Sequence, residues 1–144
     1  MTPADPRARP VTGANFLVSI GEADPAGPDA GFCDVVFPVF AAVDPARPDT
    51  GAGLPPSRLT LRRAATGRLD LYEWWSHTRG TKGERRTVTV QLLDEDHRGV
   101  VMAWRFHGAY PVTLAYSPLH AMAPGLVTET VELAFDRVEV LSPA

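Results

Sequence analysis

One cysteine, Cys33, stands in 144 residues, so no intrachain disulfide framework is possible. Lys82 is the sole lysine among 14 basic residues; the rest are arginine. No apolar run approaches the ~20 residues that a membrane-spanning helix needs, so membrane insertion by this chain is not expected. Met1 to Pro10 carries prolines and arginines without an apolar stretch, which does not fit a secretory leader. The formal net charge of -3 gives no broad basic footprint for nucleic acid or for a membrane surface. Fourteen prolines and 12 glycines argue against a helical bundle, because both residues break helix interiors. What remains is a β-rich domain of ordinary apolar content, read as soluble and made in the cytoplasm.

The order of the chain sharpens that picture. Residues 1–14 hold three prolines and little that can pack, and read as a flexible arm; residues 15–144 read as one domain. Asn15 to Gly21 is a short apolar strand, and Glu22 to Gly31 a turn-rich connection. Phe32 to Phe40 favours β structure, but Pro38 cannot donate a ladder hydrogen bond and marks an edge, a bulge or a strand end. Asp44 to Pro56 (DPARPDTGAGLPP) has no periodic apolar pattern and reads as an irregular loop, ordered only on assembly. Ser57 to Arg62 alternates, with Leu59 and Leu61 on one face and Arg58, Thr60 and Arg62 on the other.

One helix is expected, from Asp70 to about Thr78. Asp70 suits an N-cap, Glu73 completes a capping-box-like pair, and the glycines of the RGTKG run end it. Leu71, Trp74, Trp75 and Thr78 fall at helical spacing. The two adjacent indoles diverge by about 100° on a helix, so either one enters the core and the other serves a neighbour, or both are partly buried against a sheet. Under the first of these, Trp75 is expected inside and Trp74 outside.

The second half reads as β throughout. Arg86 to Leu92 and Val100 to Phe106 form a hairpin across the acidic turn 94–99, with Val100, Met102, Trp104 and Phe106 as the inward face. Gly108 to Tyr116 is a further strand interrupted near Pro111. Val127 to Leu141 begins with Val131, Leu133 and Phe135 inward, but past Asp136 the apolar phase passes to Val138 and Val140, which requires a bulge or bend. The fold class is mainly β: two packed antiparallel sheets, a sandwich or barrel, with one short helix. The interrupted strands leave backbone groups for a neighbour, and the edges at Val35 to Phe40 and Val127 to Leu133 are the expected meeting points.

Signatures of catalysis are missing: no nucleophile elbow, phosphate loop, paired-cysteine motif or zinc-protease motif occurs. His77, His97, His107 and His120 have no ligand spacing. His97, among Asp94, Glu95 and Asp96, offers metal-binding groups, but a solvated hairpin tip accounts for them more simply. Cys33 offers a nucleophile, though its valine and phenylalanine neighbours favour a buried small side chain. Ser57, Ser117 and Ser142 lie beside prolines with no local base. Arg62-Arg63 and Arg85-Arg86 suit anions, yet ion pairs within the chain or across a subunit boundary fit the net negative charge better. No catalytic, cofactor-binding or metal-binding residue is therefore assigned.

Seven segments in order carry a resemblance. They are Asn15-Phe-Leu-Val-Ser-Ile, Gly31-Phe-Cys-Asp-Val, Leu59-Thr-Leu-Arg-Arg-Ala-Ala-Thr-Gly67, and Leu69-Asp-Leu-Tyr-Glu-Trp-Trp75. Arg86-Thr-Val-Thr-Val-Gln-Leu-Leu-Asp94, Trp104-Arg-Phe-His-Gly-Ala-Tyr-Pro111 and Glu129-Thr-Val-Glu-Leu-Ala-Phe135 complete the set. Together they resemble the tail tube proteins of contractile phages and phage-tail-like injection systems, a fold shared with the type VI secretion tube protein. The resemblance implies a non-catalytic subunit without a cofactor. Six copies would close into a ring, and rings would stack into a hollow tube, with a contractile sheath and baseplate or hub proteins as partners. A cargo or spike complex is compatible with it; sequence-specific nucleic-acid recognition is not part of it. The chain departs from the family pattern at Cys33 to Phe40, at residues 44–56 and at Ala65, so a repeating tube subunit and a baseplate-proximal initiator both stay open. A monomeric β-sandwich binding module using Trp74-Trp75, and a small enzyme using Cys33 or His97, are the readings from other classes.

Overall fold

A computed structural model describes residues 13–21, 31–41, 58–78, 83–96 and 98–142. The arm at 1–12, the loop at 44–56, Ser57 and His97 lie outside the described residues. The elements are β1 (Phe16–Ile20), β2 (Phe32–Val36), β3 (Leu59–Ala64), α1 (Asp70–Thr78), β4 (Arg86–Leu93), β5 (Val100–Tyr116), β6 (Thr128–Ala134) and β7 (Arg137–Leu141). The mainly β, antiparallel character with one helix is as expected. The contacts divide into two compact units, each with its own sheet.

The first unit holds β1, β4, the first part of β5, and β7. Val18 pairs with Val90 and Ile20 with Val88; across the next ladder Val88 pairs with Phe106 and Val90 with Trp104. This register stacks β-branched and aromatic side chains on one face, the arrangement that stabilises a sheet. Val18, Val88, Val90 and Phe106 are buried, and Phe106 meets Phe135 edge to face with ring centroids 5.0 Å apart. Each such side chain contributes about 1.5–3 kcal/mol on leaving water. The hairpin β4–β5 closes where Asp94 N donates to Gly99 O at 3.0 Å.

The apolar face expected on β5 is only partly realised. Phe106 is buried, but Val100, Met102 and Trp104 are half-buried, while Ala103 and Ala109 are buried. Register shifts between Arg86 and Val88 and between Leu92 and Leu93 each insert one extra β5 residue against β4, so the alternation that buries Phe106 does not continue to Val100 or past His107. Met102 and Trp104, in the unbroken ladder between the shifts, share the face of Phe106 but are only half covered. The strand is also single. It runs through Gly108 and Pro111 as one strand, although two were expected there; the irregularity expected near Pro111 is present as a register shift against β6 between Pro111 and Thr113.

The second unit holds β2, β3, α1, the second part of β5, and β6, in sheet order β5-β6-β3-β2. Leu59 pairs with Leu133 and Leu61 with Val131, and all four are fully buried. Pro38 ends a strand as expected, since β2 stops at Val36 and is the last strand of its sheet.

The expected long strand from Val127 to Leu141 is two strands with different partners. β6 lies between β3 and β5, whereas β7 pairs with the earlier part of β5. The break falls at Phe135 and Asp136, where the apolar phase changes. There Asp136 N donates to His107 O at 2.8 Å, and the Asp136 carboxylate presses on the position a Cβ would occupy at Gly108. Gly108 also has φ +68°, a backbone region that side chains rarely tolerate. Only glycine fits there. This also removes one expected pairing edge: Val127 to Leu133 is almost wholly β6, which is interior to its sheet.

Helix α1 spans the expected residues, but the indoles exchange roles. Trp74 is only 2% exposed and its Nε1–H donates to Glu84 O at 2.8 Å. Trp75 is half-buried and its ring lies 6.3 Å from that of the exposed Tyr72. The helix phase is set by Leu71 and Trp74, three residues apart and both buried. Trp74→Ala should therefore cost about 3–5 kcal/mol. Trp75→Ala should cost at most about 1 kcal/mol, as for a surface side chain. Urea unfolding of both variants measures the difference; equal losses would reject this phase.

Candidate assembly interface

Among the described residues the sequence candidates for chemistry do not come together. Cys33 is exposed, contrary to the expectation of a buried side chain: strand alternation turns Phe32 into the core and so sends Cys33 to the other face. Its Sγ lies 3.3 Å from Arg62 O. Ser117 has a structural task, its Oγ accepting from Thr128 N at 2.8 Å. Ser142 is exposed. His107 Nε2 contacts the Glu139 carboxylate, and His120 sits on an exposed loop. Among the described residues no group of three or more His, Cys, Asp or Glu is placed to hold a metal ion.

The arginines are used in ion pairs. Arg62 pairs with Asp34 across β3 and β2, Arg58 with Glu132 at 3.3 Å across β3 and β6, and Arg85 with Asp136 at 3.5 Å. These pairs are open to water, so each contributes little. Arg63 differs. It is 4% exposed and reaches two carboxylates: Nε donates to Glu129 of β6, itself 2% exposed, and the guanidinium fork spans both oxygens of Asp70. Arg68 adds a contact of 2.9 Å to Asp70 Oδ2.

Two buried, opposite charges in contact tie β3, β6 and the first residue of α1 together. Breaking such a pair strands a charge in the interior, typically at about 3–5 kcal/mol. The sequence reading put Asp70 at the helix start as an N-cap paired with Glu73; in the structure Asp70 is the first helical residue, Glu73 N donates to Leu69 O at 2.8 Å, and the Asp70 carboxylate is engaged by arginines. The signal for Arg63 was present in the alternation that placed Leu59 and Leu61 inside, since Arg63 is next in that phase. Glu129 likewise precedes Val131 and Leu133.

Burial pushes the Asp70 carboxyl up, but the hydrogen bond from Arg63 and the charges of Arg63 and Arg68 outweigh this and hold it below its ordinary 3.8. Burial opposes the charge of Arg63, but its hydrogen bonds to Asp70 and Glu129 outweigh this, so its pKa is raised.

Among the described residues, each sheet ends in strands that pair with a neighbouring strand on one side only. These are β1 and β7 in the first unit, and β2 and the second part of β5 in the second. An exposed edge strand presents backbone donors and acceptors for another chain. The described residues thus combine arginine ion pairs, a buried ionic anchor and edge strands in one antiparallel scaffold.

Such an antiparallel scaffold with one helix is the tail tube fold. The structure superposes on a chain of the PVC sheath–tube complex in its extended state, from an extracellular contractile injection system, with TM-score 0.71, 19% identity, and 94% of each chain covered. A chain of the PVC sheath/tube terminator gives TM-score 0.74 at 19% identity, covering 93% of this chain and 98% of that one. Hcp1 from Flavobacterium johnsoniae gives TM-score 0.60 at 17% identity, covering 89% and 95%. Among curated proteins none matches. The family model of the T4-like virus tail tube protein gp19 matches residues 54–139, more than half of the sequence. The chain belongs to the T4-like virus tail tube protein family.

The anchor makes a pH prediction. A carboxyl whose folded pKa is depressed contributes stability that is present above its unfolded value near 3.8 and lost as pH falls through the lower folded value. Asp70→Asn should therefore be less stable than the parent at pH 7, and the gap should narrow below about pH 4. Thermal melts from pH 7 to pH 2.5 check this; a gap that is constant over the range would exclude the charge of Asp70 as its origin.

Proposed function

We propose that this chain is a non-catalytic structural subunit of the inner tube of a contractile phage-tail-like particle, forming rings that stack into a hollow conduit. The match to the tail tube family over residues 54–139 carries this reading. The structural neighbours, drawn from sheath–tube, terminator and baseplate assemblies, support it.

Residues 15–144 act as one subunit in the assembled particle, produced in the cytoplasm and then built into the tube. Six copies close a ring head to tail, each offering one sheet edge to its neighbour's opposite edge, the arrangement that rotational closure requires. The edges available for this are β1 and β7, and β2 with the second part of β5. A contractile sheath surrounds the tube and a baseplate receives it. The departure at Cys33 to Phe40 from the usual small polar segment favours, as a second reading, a specialised ring next to the baseplate.

Sedimentation of the purified chain over a wide concentration range tests assembly. The expected result is a species of about six times the 15.6 kDa chain mass, or longer multiples of it. A monomer that persists at every concentration contradicts the reading.

A further inference from the structure

One row of side chains crosses the second unit from a strand edge to the helix. Among the described residues the second part of β5 pairs with β6 alone. Tyr116, the last residue of β5, is the partner of Glu129 across that ladder, and Glu129 is the partner of Arg63 across the next. Residues directly opposite one another lie about 4.5–5.5 Å apart at Cβ and share a face of the sheet. The neighbouring row, Leu114–Val131–Leu61, is apolar. Arg63 carries the polar row off the sheet, its guanidinium spanning both oxygens of Asp70 at the start of α1.

Exposure falls along this row. Tyr116 is 52% exposed, whereas Glu129 and Arg63 are buried. Partial burial, then the charge of Glu129, holds the Tyr116 phenol above its ordinary 10.0 against the pull of Arg63, and its O–H donates to the Glu129 carboxylate. Tyr72 of α1 acts on the phenol in the same direction. The Glu129 carboxylate is thus held by Arg63 on one side and by Tyr116 on the other.

A buried carboxylate and a buried guanidinium are each tolerated only through their partners, so a change at one end of such a chain alters every bond in it. The helix is the element that responds. It has nine residues, too few to persist alone, and its first residue belongs to the row. Helix α1 therefore has a closed state, held at Asp70, and an opened state in which its amides exchange with water.

We propose that Tyr116 couples the edge of β5 to helix α1, acting through Glu129, Arg63 and Asp70. Its use in the particle rests on the edge-to-edge reading above; the coupling itself belongs to the single subunit. When a strand of a second copy covers β5, Tyr116 loses contact with water and its bond to Glu129 strengthens in the drier surroundings. Arg63 and Asp70 are then held more firmly, and α1 with them. Linkage makes the effect reciprocal, so a subunit whose helix is secured binds its neighbour more tightly. An unassembled subunit keeps the looser helix.

Amide hydrogen exchange of Trp74 to Thr78 reads the helix. In the dissociated chain Tyr116→Phe keeps the ring, removes the hydroxyl and should speed exchange of these amides by about fivefold. Asp70→Asn should speed it as well. Adding Tyr116→Phe to Asp70→Asn should then change it by less than about twofold, because the path is already cut. Thr113→Ala, exposed on the same strand but outside the row, should leave the helix as in the parent. A Tyr116→Phe variant that matches the parent would overturn the inference. So would full additivity of the two changes, since the effect would then reach α1 through Tyr72 and not through the anchor.

Assembly supplies the second readout. On particle formation the same amides should slow by about fivefold in the parent and by much less in Tyr116→Phe. Equal slowing in both would overturn the coupling. A parent that stays monomeric contradicts the tube reading alone, and the comparison in the dissociated chain still decides the coupling.

Discussion

A buried arginine organises the unit that carries the helix. Arg63 bonds Glu129 on one side and Asp70 on the other, and neither it nor Glu129 has appreciable access to water. Each charge is tolerable only while the others are in place, so β3, β6 and the start of α1 are fixed together. The position of Asp70 sets the helix entry, and with it the phase that buries Leu71 and Trp74. The exposed remainder of the helix, including Tyr72, results from the same constraint. That constraint gives α1, a helix too short to persist alone, a directional anchor in addition to its apolar face.

Much of this architecture was legible in the sequence because strand alternation is a strong signal. Leu59 and Leu61, Val88 and Val90, and Val131 and Leu133 were all assigned inward and are buried. The helix limits came from Asp70 and the glycines after Thr78. The errors in strand limits share a cause: each lies where the chain changes partners. β5 passes from pairing with β4 and β7 to pairing with β6, and two register shifts and a left-handed glycine accompany the change. Periodicity reports which face a residue takes within one ladder; it does not report which ladder. So one strand was read as two at Gly108, and two strands as one at Asp136.

The anchor was missed for a different reason. Arg63 and Glu129 lie in phase with buried leucines and valines, yet charged residues are expected outside. Only the pair makes either acceptable in the interior, and a pair separated by 66 residues is invisible to local pattern. The tryptophans show the same limit: spacing announces that the two rings diverge, but the choice between them depends on the anchor. The uncharged run after Val35 stood out against the family pattern, and it emerges from an edge strand.

Self-association through an open sheet edge is the central claim, and amide hydrogen exchange of assembled against dissociated protein tests it most directly. β6 pairs on both sides within the chain and should exchange slowly in both states. The strands at the sheet edges, above all β2 from Phe32 to Val36, should gain protection on assembly. Particles that form while the amides of β1, β2 and β7 exchange as fast as in the dissociated chain would contradict the account.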